Sequence, residues 1–417
     1  MSRRPRLTGR GKILLFLSVL IFIVTVIIGE GDLLRAALLV LLAPIFSWLW
    51  LLWQRPQLQV DRFMDPTRIP AGQECHVRLS VSNTAPKTTA TAMMEDRIPY
   101  TLGDRPRLLL QKLTPGSQTV VSYAISPQRR GKYNVGPMRV YATDPFGLAT
   151  VQQEFSTVTE LVVTPPIHPL QSVRVGGRSG SVVGDSRALS VAISGEDDVA
   201  AREYRYGDDL RRVHWPTTAH RGELMVRREE QPWDSTASLL LDVRGNAHYG
   251  MGEASSFEWM VEAAASICRR LAVDGMSSHL ISVWDDISAR SEDFGHVLNY
   301  LATVQTTTKA DIALLAARSR IHSDSSCVIA LMGHLNVRNA EELLASGGRS
   351  GQNIAIVTDP VAWSGATGEK ARVLTAEHLD ATALLAAAGW LVRSVKPQTK
   401  LLHLWSGVSP SEAKATT

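Results

Sequence analysis

The stretch Ser238-Leu239-Leu240-Leu241-Asp242-Val243-Arg244-Gly245-Asn246 is a short apolar run that ends in an acid and a turn. Its length and its flanks make it a strand buried on both faces rather than a helix segment. Runs of the same kind recur at Leu280 to Trp284, Cys327 to Met332 and Asn353 to Val357. Between them lie helical patterns. Ser255 to Ala272 opens on a capping serine and carries an apolar stripe at Phe257, Met260, Val261, Ala264, Ile267 and Leu271, and further helices fall at Asp293 to Thr303, Lys309 to Ser319 and Arg338 to Ala345. Apolar strands alternating with helices predict a doubly wound, mainly parallel sheet over 236–396, with ligands at the carboxyl ends of its strands. Trp363 and the glycine-rich run near it are expected as an exposed loop, and 397–417 as a C-terminal tail whose small, polar residues after Val408 fray.

Upstream, over 56–168, the period is two. In Cys75-His76-Val77-Arg78-Leu79-Ser80-Val81-Ser82-Asn83, apolar and polar residues alternate as a half-buried strand requires. Arg107 to Leu113, Thr119 to Ile125, Met138 to Tyr141 and Glu160 to Val163 follow suit, with Pro and Gly in the gaps. Short strands between turn signals predict an all-β, immunoglobulin-like sandwich. Arg129 to Pro137 is expected to make a glycine turn between strands. Thr143 to Leu148 is expected to turn around a buried Phe146, with Asp144 bonding the amides that follow it.

The first 55 residues hold two apolar stretches. Ile13 to Ile28 has no charged residue, and Leu33 to Trp53 has only Arg35, with Pro44 inside. Both approach the roughly 20 residues that a membrane span requires. The connector around Glu30 and Asp32 is too short for a domain, so the two form a transmembrane hairpin. Arg3, Arg4, Arg6, Arg10 and Lys12 precede it and Arg55 follows, which places both ends in the cytoplasm under the positive-inside rule. Trp48, Trp50 and Trp53 are expected in the headgroup layer. The basic leader favours anionic lipid, making the bilayer the first expected partner.

Hydrophobic residues at 45% and charged residues at 20% exclude general disorder, and a formal charge of +4 with no basic stripe among aromatics disfavours nucleic acid. The three cysteines, Cys75, Cys268 and Cys327, are far apart and match no zinc or redox spacing, so they read as small buried apolar residues.

The segment 169–235 divides into a Gly/Ser/Val-rich linker from Gln171 to Ser194 and a run in which charges of both signs mix with Tyr and Trp. Such a run suits a structural clamp or a partner surface. Asp208 and His214 also offer an acid/base pair for a hydrolase or ligase, but no nucleophile motif, metal spacing or phosphate loop accompanies them. The residues Arg202-Glu203-Tyr204, Gly207-Asp208, Arg211, His214-Trp215, Thr218-Ala219, Gly222-Glu223-Leu224 and Val226-Arg227 resemble the signature of the bacterial domain-of-unknown-function family 58. Asp144-Pro145-Phe146-Gly147-Leu148 resembles the family's upstream pattern. Pro216 and His220 depart from it. The resemblance implies a non-enzymatic membrane adaptor working with a MoxR-type AAA+ ATPase, and a transglutaminase-like membrane protein as a further partner. It also makes Arg202, Tyr204, Gly207, Asp208, Arg211, His214, Trp215 and Arg227 the expected partner-binding residues.

The strand end at Asp242 is similar to the start of a von Willebrand factor A domain, whose metal-adhesion motif sets an Asp and two Ser hydroxyls on the first loop. Only the acid is present here, and Arg244 takes a hydroxyl position. Asp242, Asn246, Thr308 and Asp311 are the candidate ligands for a cation such as Mg²⁺, with Thr306 and Thr307 nearby. The competing expectation is that Asp242 caps a turn or pairs with Arg244, with no cofactor.

Overall fold

The computed structural model describes residues 5–29, 31–53, 57–172, 201–203, 213, 215–227, 236–289, 294–322, 325–347 and 352–406. The chain forms two compact units, Met1–Pro166 with Leu298–Val304, and Ile167–Val297 with Gln305–Thr417.

In the first unit, helices α1 (Gly9–Ile28) and α2 (Gly31–Trp53) pack on one another and are both long and apolar enough to cross a membrane. Thr8 caps α1 by accepting from the Gly11 amide at 3.1 Å, and Gly29 closes it in the left-handed conformation. Ser18 and Thr25 donate to the carbonyls of Leu15 and Ile21 at 2.8 Å, so neither hydroxyl stands unpaired on an apolar helix.

The described residues of this unit also form eleven strands, in chain order β1 (Arg6–Leu7), β2 (Leu58–Asp65), β3 (Arg68–Pro70), β4 (Cys75–Asn83), β5 (Ala92–Asp96), β6 (Arg107–Leu110), β7 (Gln118–Ile125), β8 (Gly131–Val135), β9 (Met138–Thr143), β10 (Ala149–Phe155) and β11 (Thr159–Thr164). They make sheets of order β1-β10-β9-β5-β6, β3-β11-β8 and β2-β4-β7, antiparallel except at β3/β11. Cys75, Val77, Leu79 and Val81 point into a core shared with Met94, Val140 and Leu161, while His76 and Arg78 face out. At one end of that core Arg62 and Asp96, almost fully buried, pair at 2.6 Å, and Tyr123 donates to the same carboxylate at 2.6 Å.

Two local expectations are corrected here, the turn over 129–137 and the buried Phe146, and two others gain detail. Arg6–Leu7 does not belong to a free basic leader but adds a strand to β10, held by Thr8 N to Leu148 O at 2.9 Å. The tryptophans at the end of α2 are engaged with protein: Trp48 donates to Pro5 O, Trp50 packs on the β core beside the buried Leu51, and Lys87 sits 3.3 Å over the Trp53 ring. Residues 131–135 are themselves a strand, paired antiparallel with β11, and the break before β9 falls at Gly136, whose φ of 116° a side chain would oppose. Phe146 is 68% exposed at the tip of its turn, which Asp144 holds by accepting from the amides of Phe146 at 3.0 Å and Ala149 at 2.6 Å.

In the second unit, β12 (Ala201–Glu203) pairs antiparallel with β13 (Met225–Arg227). A six-stranded sheet is built from β14 (Thr236–Leu241), β15 (Ser277–Ile281), β16 (Asp286–Ser288), β17 (Cys327–Met332), β18 (Gln352–Thr358) and β19 (Leu391–Val395) in the order β16-β15-β14-β17-β18-β19. All neighbours are parallel except β15/β16. Counted within this sheet the order is 3-2-1-4-5-6, so the chain changes direction of progression between β14 and β17. Ser255 caps the helix Ser256–Val273, which lays Met260, Val261, Ala264, Ile267 and Leu271 into the core. Cys268 and Cys327 are buried and free, and burial pushes both thiols up to about 12, consistent with inert packing residues.

The region around Trp363, expected as an exposed loop, is instead helical at Pro360–Ser364, and the indole donates to Val395 O at 3.1 Å. A 20-residue helix follows at Gly368–Ala387. Leu401–Ser406 is a helix whose Trp405 is buried and donates to Gln171 O at 2.9 Å.

Candidate functional site

The switch point of an open α/β sheet leaves a crevice where two neighbouring strands send their connections to opposite faces. Here it falls at the ends of β14 and β17, where Asp242 and Gly333 follow. Asp242 N donates to Leu331 O at 3.0 Å, prolonging the pairing by one residue and burying the carboxylate, which is 1% exposed.

Both carboxylate oxygens are taken. Arg244 Nε lies 3.0 Å from Oδ1 and its Nη2 2.8 Å from Oδ2, in a bidentate fork. The amides of Arg244 and Gly333 donate to Oδ1 at 3.0 Å and Oδ2 at 3.1 Å. The guanidinium is held in turn by Asn339 Oδ1 and His334 O, each at 3.0 Å. Burial pushes the Asp242 carboxyl up, and the Arg244 charge and hydrogen bonds more than reverse this, so it lies below the ordinary range. The turn over the pair is tight: Gly245 N donates to Thr307 O at 2.9 Å, Thr307 N to Val243 O at 2.7 Å and His334 N to Ala247 O at 2.7 Å. Gly333 is required there, since a Cβ would stand 2.5 Å from Ala247 O.

Around the latch lie histidines that no sequence motif announced. His248 Nε2 is 2.9 Å from Asp242 O and its Nδ1 3.2 Å from Ser256 Oγ. Burial lowers its pKa, opposed by Asp242 and aided by Arg244, which leaves a neutral ring donating to a carbonyl. His334 Nε2 meets Glu377 Oε2 at 2.9 Å, while its buried Nδ1 has no hydrogen-bond partner among the described residues. Tyr249 stands beside that ring, and burial followed by the Glu377 charge raises its phenol. A polar cleft of about 270 Å³ adjoins the latch, lined by Arg244, Asn246, Ala310, Asp311, Asn336, Arg338, Asn339 and Glu342.

Of the candidate cation ligands, the structure brings Asn246 and Asp311 to this cleft but turns Asp242 away from it, behind Arg244. Thr308 is exposed, and Asp311 caps the helix Ile312–Ser319 by accepting from Ala313 N at 3.4 Å. Arg244 thus presents positive charge where a cation would be wanted. In the signature segment, Arg202 and Arg227 lie on the paired β12 and β13, and Trp215 starts the helix Trp215–Arg221 with 67% of its surface exposed. Tyr204, Gly207, Asp208, Arg211 and His214 lie outside the described residues.

The fold and site together define an α/β protein whose sheet carries an internal ion pair at its switch point, together with a β-rich unit and two apolar helices. Residues 200–352 match the family described as "Protein of unknown function DUF58". The chain is also 23% identical over 380 residues to "Uncharacterized protein YeaD" of Bacillus subtilis (strain 168), covering 87% of each. The likeness to DUF58 thus rests on residues 200–352. Among solved structures, the CARDB domain of the PF1109 protein from Pyrococcus furiosus aligns at 13% identity over 27% of this chain and 97% of that one, with a TM-score of 0.20. The β-glucosidase from Listeria innocua aligns at 13% identity over 26% of this chain and 16% of that one, with a TM-score of 0.17. Scores of this size assign no fold.

Proposed function

We propose that this protein is a membrane-anchored adaptor whose soluble body faces the cytoplasm and docks an AAA+ ATPase of the MoxR type. The β-rich unit serves in this reading as an immunoglobulin-like spacer, and the α/β unit as a von Willebrand factor A-like platform. The single observation that carries it is Trp215: an indole with two-thirds of its surface in solvent, on the charge-rich segment that also holds Arg202 and Arg227. Exposed tryptophan flanked by arginine is the composition of an interface hot spot. The latched Asp242 supports the same reading, because the place where such sheets bind small ligands is occupied by the chain's own guanidinium.

The test is co-purification from membranes of the full chain with the ATPase. Trp215→Ala, and charge reversal at Arg202, Asp208 and Arg211, are expected to abolish it with melting unchanged. Retained binding in all of these variants rejects the docking surface. Digestion of the body by protease added outside intact cells rejects the orientation. The alternative of a hydrolase or ligase acting through Asp208 and His214 requires turnover that His214→Ala removes.

A further inference from the structure

His279, Asp286 and His322 converge at the antiparallel edge of the six-stranded sheet. His279 stands on β15, Asp286 opens β16, and His322 ends the short 3-10 turn Arg320–His322 behind the helix Ile312–Ser319. Asp286 Oδ1 is 3.2 Å from His279 Nδ1, and Oδ2 is 2.6 Å from His322 Nε2. The imidazoles stack with centroids 4.0 Å apart and 26° between their planes. One donor atom from each residue lies within 4.8 Å of the other two. All three side chains are partly exposed, and Asp286 borders an open cleft of about 480 Å³ shared with Ser288 and His296, which gives a solvated ion access.

We propose that these three side chains form a binding site for a divalent transition-metal cation of the Zn²⁺ type. Two imidazoles and one carboxylate are a borderline donor set, which suits Zn²⁺ and its neighbours; Mg²⁺ and Ca²⁺ demand oxygen ligands instead. Tetrahedral bonds of about 2.0–2.1 Å set ligand atoms roughly 3.4 Å apart. The donor atoms therefore close by no more than about 1.5 Å, a movement that half-exposed side chains make by small rotations. In the ion-bound form His279 ligates through Nδ1 and keeps its proton on Nε2, while His322 ligates through Nε2 and keeps its proton on Nδ1. Three protein ligands leave a fourth position for water or an anionic group.

The site is separate in composition from the Asp242–Arg244 latch and does not depend on the adaptor reading. Nor could local spacing disclose it, since Asp286 and His322 are 36 positions apart.

The experiment uses the untagged full chain in detergent, stripped with chelator and then equilibrated with Zn²⁺. Retained metal is counted by mass spectrometry, and affinity is read by competition with a fluorescent chelator. One Zn²⁺ per chain is expected, with affinity falling by about tenfold or more in Asp286→Asn and in His322→Gln. His76→Gln, on an outward position of β4, is expected to leave it unchanged. Zn²⁺ is also expected to raise the melting temperature of the wild-type chain. Should Asp286→Asn loosen the fold, Co²⁺ added to the wild-type chain supplies a second readout, a visible absorption band from mixed nitrogen and oxygen ligation. No Zn²⁺ retained by the wild-type chain, or undiminished affinity in both ligand variants, overturns the proposal and leaves Asp286 as a hydrogen-bonded clasp.

Discussion

Arg244 clamps both carboxylate oxygens of Asp242 two residues behind it in the chain, so the ion pair at the sheet's switch point is made by a single turn. Removing one partner leaves a buried charge uncompensated. Arg244→Met is expected to destabilise the α/β unit by about 3–5 kcal/mol, and Asp242→Ala by a comparable amount, whereas the double variant loses less than the sum. Thermal melting of the four proteins checks this. The pair also has a pH signature. With its carboxyl held below the ordinary range, Asp242 contributes stability that is full above about pH 4 and fades as the pH falls through the folded value. In Arg244→Met burial still acts on the carboxyl while the guanidinium's charge and bonds are gone, leaving only the amides of residues 244 and 333 and His248 to oppose it, so this acid loss of stability is expected to shrink.

Two histidines set a second window. Burial lowers His248 and His378 below their ordinary value. Facing His248 are Asp242, which opposes the shift, and Arg244, which adds to it; facing His378 are Asp359 and His334 in the same two senses. A depressed histidine contributes stability that is present above the unfolded pKa of about 6.5 and is lost as the pH falls through the folded one. The melting temperature is thus expected to drop from about pH 6.5 downward, and His248→Gln, which keeps a donor toward Asp242 O, is expected to flatten that drop.

Gly333→Ala tests the close crossing of the two loops above the pair. The added methyl meets the backbone carbonyl of Ala247, which is fixed by the amide of His334 and cannot rotate away. A loss of about 1–3 kcal/mol is expected, with weakened protection of the Gly333 and His334 amides in hydrogen exchange. Gly245→Ala is the control, because its Cβ would find ordinary contact at 3.6 Å.

The parts of this fold that were legible in the sequence are those fixed by local chemistry. The apolar run Cys327–Met332 is a buried strand in the structure, and Ser255 caps its helix where the pattern placed it. Asp144 likewise holds the amides that its position in the turn suggested. What stayed hidden depends on distance. β16 is three residues long and β19 is only partly buried along most of its length, so neither carries the apolar run of a central strand. The exposure of Phe146 and the indole contacts of Trp363 and Trp405 are settled by neighbours far along the chain. At the site, Asp242 with Arg244 was readable because two residues separate them, while His334 and Glu377 meet across 43 positions with no motif between.

The β-rich unit offers the last prediction, at the buried Arg62, Asp96 and Tyr123. Asp96 takes two bonds from Arg62, at 2.6 and 3.2 Å, and one from Tyr123 at 2.6 Å. Arg62 Nη1 donates to Val135 O at 2.8 Å and Thr157 O at 2.9 Å, tying β2 to the end of β8 and to the connection between β10 and β11. Burial and the Asp96 charge raise the Tyr123 phenol, which favours the protonated hydroxyl that donates to Asp96. Tyr123→Phe deletes one charge-assisted bond but leaves the ion pair, for a loss of about 1.5–3 kcal/mol. Asp96→Ala strands the Arg62 guanidinium in the core and is expected to cost about 3–5 kcal/mol. In a double-mutant cycle the two changes are expected to be strongly non-additive, because Tyr123 has no acceptor left once Asp96 is gone. Additive losses in denaturant unfolding of the full chain rule out the shared carboxylate as the centre of this network.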